Sequence, residues 1–137
     1  MTPIPISAIA SYHAHIYFRD DAERERAAIL RERIAERFAV QLGSWHDRLV
    51  GPHGLPMYQI AFAVDVFARF IPWLMLNRLD LTVLVHPNTE NPRRDHLTHA
   101  FWMGEILPIV HPEQLPVAGD PDHGENVVPN TSPTLPA

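Results

Sequence analysis

Nine histidines fall in a chain of 137 residues that contains no cysteine, and five of them stand where spacing or a turn can bring imidazoles together. His13 and His15 sit two apart in the alternating stretch Ile9 to Phe18 (IASYHAHIYF). On a strand, side chains at i and i+2 point the same way with roots roughly 6–7 Å apart, a separation from which both rings reach one ion. His53 lies in the Gly-Pro-His-Gly run, His86 ends an apolar run, and His96 follows Asp95. Imidazole is the commonest protein metal ligand and the commonest acid–base group near neutral pH. Without cysteine, disulfides, iron–sulfur clusters and thiolate zinc sites are excluded, so any metal is held by nitrogen and oxygen. Such donors suit iron, zinc, copper or nickel, and ligand type does not choose among them. The plainer reading makes each histidine a hydrogen-bonded filler, and His46, His99, His111 and His123 are read that way or as solvent-facing.

Other chemistries find little to build on. There is no zinc-protease or EF-hand spacing, no phosphate loop and no nucleophile elbow. Serine is scarce, so a Ser–His–acid triad has few candidates.

The elements that must carry the histidines follow from pattern. In Ile9 to Phe18, Tyr12, Ala14, Ile16 and Phe18 share one face, while His13, His15 and Tyr17 share the other. Asp20 is placed to cap a helix over Asp21 to Phe38, with Glu23 completing a box-like pattern and Ala27, Leu30, Ile34 and Phe38 at helical spacing. Val40 to Val50 reads as a strand bent at Gly43, residues 51–54 as a turn, and Leu55 to Val64 as the next strand. Asp65 opens a short helical turn over Val66 to Phe70, and Pro72 opens a second piece, with apolar contacts from Phe67, Phe70, Leu74 and Leu76. Leu81 to His86 is a fourth strand stopped by Pro87. Asp95 caps a short helix, His96 to Met103, closed by Gly104.

The order is β-α-β-β-α-β, the split arrangement of ferredoxin-like folds. The expected architecture is α+β: an antiparallel four-stranded sheet with both helices on one face, in residues 1–110. First and fourth strands are neighbours in that topology, so His86 approaches His13, and Thr82, Leu84 and His86 share the histidine face. That face needs a cover, which points to a homodimer and a dimeric α+β barrel. Residues 111–137 hold six of the fourteen prolines and read as an extended or partly disordered tail.

A formal net charge of −5 argues against nucleic acid as a partner. The Arg24 to Arg37 stretch alternates with glutamates and reads as a solvated helix face. No apolar run is long enough for a membrane span, and the expected setting is cytoplasmic.

Taken in order, Tyr12-His13-Ala14-His15-Ile16-Tyr17-Phe18, Gly51-Pro52-His53, Met57-Tyr58-Gln59, Pro72-Trp73-Leu74 with Asn77-Arg78, Val83-Leu84-Val85-His86-Pro87, and Asp95-His96 with Trp102 and Gly104 resemble the DOPA 4,5-dioxygenase family. The likeness runs from about Ser11 to Pro108. It implies extradiol cleavage of a catechol such as DOPA by non-heme iron(II) and dioxygen, with zinc or nickel able to occupy the same donors. Carried over residue by residue, it implies His13, His15, His53 and His86 as ligands. His96 and Tyr58 become the catalytic residues, and Gln59, Arg78 and Tyr17 contact the ring or its carboxylate. Most non-heme iron oxygenases use two histidines and a carboxylate; no carboxylate shares this strand face, which leaves a three-histidine site open. The alternative reading is a dimeric metal- or ligand-binding domain of the same fold without oxygenase activity.

Overall fold

The structure, a computed structural model, describes residues 1–119 and 127–137; His123, read above as solvent-facing, lies outside them. Five strands, β1 (Ser11–Tyr17), β2 (Gln41–His46), β3 (Met57–Ala63), β4 (Val83–Asn88) and β5 (Phe101–Met103), form one antiparallel sheet in the order β2-β3-β1-β4-β5. The first four strands stand in the split βαββαβ order. The fifth, which the sequence reading had as part of a helix from His96 to Met103, extends the sheet beside β4.

Helix α1 (Asp21–Arg37) starts where the Asp20 carboxylate accepts the Glu23 N–H at 2.8 Å. Glu23 reaches back to the Arg19 N–H, one residue earlier than a standard capping box. Its Ala27, Leu30 and Ile34 are buried on the sheet face formed by Ala14, Ile16, Tyr58, Ile60, Phe62, Val83 and Val85. Helix α2 (Phe67–Asn77) covers the rest of that face with Phe70, Ile71 and Leu74.

Here the helix differs from expectation. It is one continuous helix with Pro72 inside it, entered from a 3-10 turn at Val64–Val66, rather than two pieces divided by the proline. Proline lacks only one N–H, and burial of Phe70, Ile71 and Leu74 around it outweighs that lost bond. Leu76 is 85% exposed and Ile71 takes its expected place in the core.

Strand β4 likewise runs through Pro87 to Asn88 instead of stopping at it. Tyr17 N–H donates to the Thr82 carbonyl, which makes the Tyr12 and Pro87 pair a non-hydrogen-bonded one on the β1 side. The nitrogen of Pro87 therefore faces the β5 side, beyond the last β5 pair, Val85 with Phe101. No ladder bond is lost there. In β2 the register shifts between Leu42 and Trp45, the bend expected at Gly43.

A short helix, α3 (Pro92–His96), lies after β4, with the Asn91 side chain accepting the Arg94 N–H at its start. Asp95 is inside α3, not its cap, and His96 ends it rather than beginning a longer helix. Gly104 follows a strand at φ +84°, so it makes a turn and not a helix cap.

The histidine face is covered by the chain itself. Tyr17, Met57 and Leu84 pack there under Val50, Leu55, Trp102, Leu107 and Ile109. His53 and Ile109 form an isolated bridge, and Val110 N–H donates to the Pro52 carbonyl at 2.7 Å. At the opposite sheet edge, the Asn130 side chain accepts from Leu42 N–H at 2.8 Å and donates to Leu42 O at 2.9 Å, and Asn130 N–H donates to Val40 O. Thr131 Oγ1 accepts from Val40 N–H. Residues 130–131 thus line the outer edge of β2.

Candidate metal centre

Strand β1 supplies two rings and its neighbours bring the rest. His13 lies directly opposite His86 across the β1–β4 ladder, and both are buried. His15 stands beside them at 2% exposure. His53 enters from the 47–56 loop, folded inward by the Ile109 bridge, and its ring centroid is 4.1 Å from that of His15. His96, at the end of α3, places its ring 4.0 Å from that of His86. All five histidines expected at the site are therefore gathered on one sheet face.

Two overlapping groups have ligating atoms within 4.8 Å of one another: His13, His15 and His86, and His15, His53 and His96. Nitrogens on one ion lie at most about 4.2 Å apart, because metal–nitrogen distances are about 2.0–2.1 Å. An inward shift of the rings would bring either group onto one ion. No carboxylate belongs to either group among the described residues, so the donor set is all imidazole.

The outer nitrogens are already oriented. His86 Nδ1 donates to the Pro87 carbonyl and His96 Nδ1 to the Pro92 carbonyl, each at 2.8 Å. A carbonyl only accepts, so in the neutral rings Nε2 of both carries the lone pair. His15 Nε2 lies 3.1 Å from His86 Nε2, so two ring nitrogens converge at a spacing that one ion can span. His15 Nδ1 is buried with no hydrogen-bond partner, so no protein contact ties that ring to another task. The residues present therefore fit a metal.

Charge state agrees. Burial, and then the neighbouring His53, His86, His13 and His96, hold His15 well below the ordinary histidine range. Burial, and then His96 and His13, do the same to His86. His53 is lowered to about 4 by burial and by His96 and His46. These three rings are neutral at neutral pH, the form that binds metal.

Tyr17 belongs to the site. Its hydroxyl is 2.7 Å from His53 Nδ1, and its ring stacks on Trp102 with centroids 5.8 Å apart. Burial raises its pKa, so the hydroxyl stays protonated. Such an outer contact fixes a ligand ring, and its loss commonly weakens metal binding 10–100-fold. Tyr17→Phe is expected to lower metal affinity at least about tenfold while leaving the melting temperature nearly unchanged; competition against a chromogenic chelator measures it, and unaltered affinity would remove Tyr17 from the site.

The other implied residues divide. Gln59 is paired with His15 across the β1–β3 ladder, so it shares the histidine face. Tyr58, one residue earlier, points to the opposite face, where its hydroxyl donates to the Ala27 carbonyl under α1. Strand alternation places it in the helix-side core, and it is not at the metal centre. Arg78 donates through Nη1 to the Leu81 carbonyl, binding the α2–β4 connection rather than facing the histidines.

Asp95, expected from sequence as a helix cap, is instead a buried acid next to His96. Asp95 is 1% exposed and accepts from Thr89 N–H and Thr89 Oγ1, both at 2.7 Å. It also contacts His99 Nδ1 at 3.5 Å. The Asp-x-x-x-His spacing from Asp95 to His99 was the available signal for their contact.

A five-stranded α+β sheet carrying an inward cluster of imidazoles defines a domain that could hold a metal ion. The Dopa 4,5-dioxygenase family model matches residues 12–112, and the chain belongs to that family. It is 36% identical over 118 residues to an uncharacterized 21.2 kDa protein of Botryotinia fuckeliana, covering 78% of this chain and 64% of that one. It is 34% identical over 122 residues to the DOPA 4,5-dioxygenase of Amanita muscaria, covering 83% of this chain and 53% of that one. The chain thus spans less than two thirds of the length of either relative. The crystal structure of a candidate dioxygenase from Nostoc punctiforme superposes with a TM-score of 0.76 at 46% identity, over 78% of this chain and 92% of that one.

Proposed function

We propose that the chain is an extradiol ring-cleaving dioxygenase that acts on a catechol such as DOPA with iron(II) and dioxygen. The observation that carries this reading is the buried all-imidazole cluster in a chain of the Dopa 4,5-dioxygenase family. Iron(II) bound there supplies the redox link between an electron-rich ring and dioxygen. His13, His15 and His86 would hold it, with His53, whose ring centroid is 4.1 Å from that of His15, as the further donor the family resemblance implies. His96 Nε2, left with its lone pair by the Pro92 contact, takes the proton of a catechol hydroxyl. Trp102 and Tyr17 give a flat apolar wall suited to an aromatic ring, and the loops over the histidine face exclude bulk water.

A homodimer in the cytoplasm belongs to the same proposal. Leu49 and Ile106, 64% and 81% exposed on the covering loops, offer apolar contact to a second copy. Among the described residues no helix is long and apolar enough to cross a membrane.

The all-imidazole donor set also suits zinc or nickel in a binding domain without turnover. Anaerobic reconstitution followed by elemental analysis and oxygen uptake separates the two readings. Close to one iron per chain, with uptake dependent on L-DOPA or caffeate, is the expected result. Tight metal binding with no uptake on any catechol would favour the binding domain.

A further inference from the structure

Helix α3 holds only five residues, Pro92 to His96. A single helical turn has little stability of its own, so its place is decided by what it is tied to. Its last residue, His96, lies over the metal cluster with its ring 4.0 Å from that of His86. The contact of His96 Nδ1 with the Pro92 carbonyl fixes that ring relative to its own helix. The position of the ring over the cluster therefore follows the position of the helix.

Two sets of ties hold the helix. On one side, Arg93 donates from Nε to the carbonyls of Pro112 and Leu115 and from Nη2 to that of Glu113. On the other stands Asp95, 1% exposed. Its Oδ2 accepts the Thr89 N–H and its Oδ1 the Thr89 hydroxyl, both at 2.7 Å, with His99 Nδ1 3.5 Å from Oδ1. Thr89 Oγ1 in turn accepts the Asn91 N–H at 3.1 Å, and the Asn91 side chain caps the helix at the Arg94 N–H. Thr89 is the first residue after β4, the strand that carries His86. The tie thus begins beside His96 and ends three residues past His86. Neutral contacts suffice to hold a loop of this length. A buried carboxylate costs more in lost hydration, and what it adds, when both oxygens are satisfied, is a fixed geometry.

We propose that Asp95 is a positioning residue which, through Thr89, holds His96 at its distance from His86 in the cluster. It acts through His96 rather than on a substrate. The inference rests on the acid–base role given to His96 above, whereas the tie itself is a feature of the metal-free chain. An error of about 1 Å in the place of a reacting group costs about 100-fold in rate, the scale on which such a tie matters.

The first arm of the test reads the metal-free full chain by NMR, so it stands whether or not the chain proves to be a dioxygenase. Nuclear Overhauser effects report the approach of the His96 and His86 rings. In Asp95→Ala that contact is expected to be lost, while those between His13 and His86 and between Tyr17 and His53 stay. Asp95→Asn keeps the side-chain volume and an oxygen for the Thr89 N–H, and is expected to restore most of it. If Asp95→Ala does not fold, Thr89→Val, which removes one of the two hydrogen bonds at nearly constant volume, is expected to weaken the same contact. A staple for stability alone would lower the melting temperature and leave the ring contact in place; that result overturns the proposal. The second arm reads the iron-loaded chain on a catechol that it turns over. With the tie removed, kcat is expected to fall at least about tenfold with iron content and KM nearly unchanged, and to recover in Asp95→Asn. An unchanged kcat in a variant that has lost the ring contact overturns the positioning role as well. Absence of turnover in the unaltered chain defeats the dioxygenase reading, and the first arm then decides the tie by itself.

Discussion

His15→Ala is expected to hold less than a tenth of the metal bound by the unaltered chain, with a matching loss of any oxygen uptake. His15 is the residue shared by both three-histidine groups, so its removal leaves two donors in each. Two imidazoles on a protein bind divalent ions far more weakly than three, and even loss of an outer contact to a ligand costs 10–100-fold. A loss of about 100-fold or more in affinity is therefore the direction and scale to look for. Single substitutions elsewhere resolve which group is used. His13→Ala breaks only the group with His86, and His53→Ala breaks only the group with His96. Because His15 is buried, the alanine leaves a cavity, and His15→Gln serves as the variant closer in volume. Near-normal metal content in His15→Gln and His15→Ala, with intact folding by circular dichroism, would show that the cluster does not hold the ion.

Metal-free protein is expected to be markedly less stable at pH 5 than at pH 7.5. His53 has a folded-state pKa of about 4, against an ordinary value of 6.5. Between those values the unfolded chain binds a proton that the folded chain refuses, so stability rises with pH through that window. The contribution is fully present above 6.5 and is lost as pH falls toward 4. At pH 5 the loss from His53 alone is about 2 kcal/mol. His15 and His86, also lowered by burial, act in the same direction. For a chain of this size the melting temperature should fall by roughly 8 °C or more. Thermal melts at the two pH values check the sign, and His53→Gln should flatten its share of the slope. A melting temperature that is unchanged or higher at pH 5 would show that these rings are charged in the folded chain.

How far the site could be read beforehand differs from residue to residue. His13, His15 and Tyr17 were legible because strand period alone places them opposite Ala14 and Ile16. The approach of His86 to His13 followed once the βαββαβ order was recognised, and the two prove to be direct ladder partners. Tyr58 and Gln59 show where pattern stops. Both lie in a strand buried on its two faces, so composition does not say which of the pair turns inward. Only the register that sets Gln59 opposite His15 decides it. The path of His53 was beyond local reasoning, since it depends on a bridge to Ile109, 56 positions along the chain. The helix expected over His96 to Met103 became α3 and β5 because Phe101, Trp102 and Met103 find β4 as a partner, and tertiary pairing overrides propensity in so short a segment.

Outer strands of open sheets are places where one molecule can template another, and β2 would be such a place. Its Val40 and Leu42 backbone groups are instead answered within the chain, two of them by the side-chain amide of Asn130, which imitates a peptide group. The carboxamide of Asn130 uses one N–H and its oxygen on Leu42 and then ends, with no repeating backbone of its own to pass the pattern on. At Leu42 the edge is thus satisfied by a group that presents no new strand. Such a stop protects against runaway strand addition, a hazard that matters most in the concentrated, newly made chain, before any ion has reached the histidines.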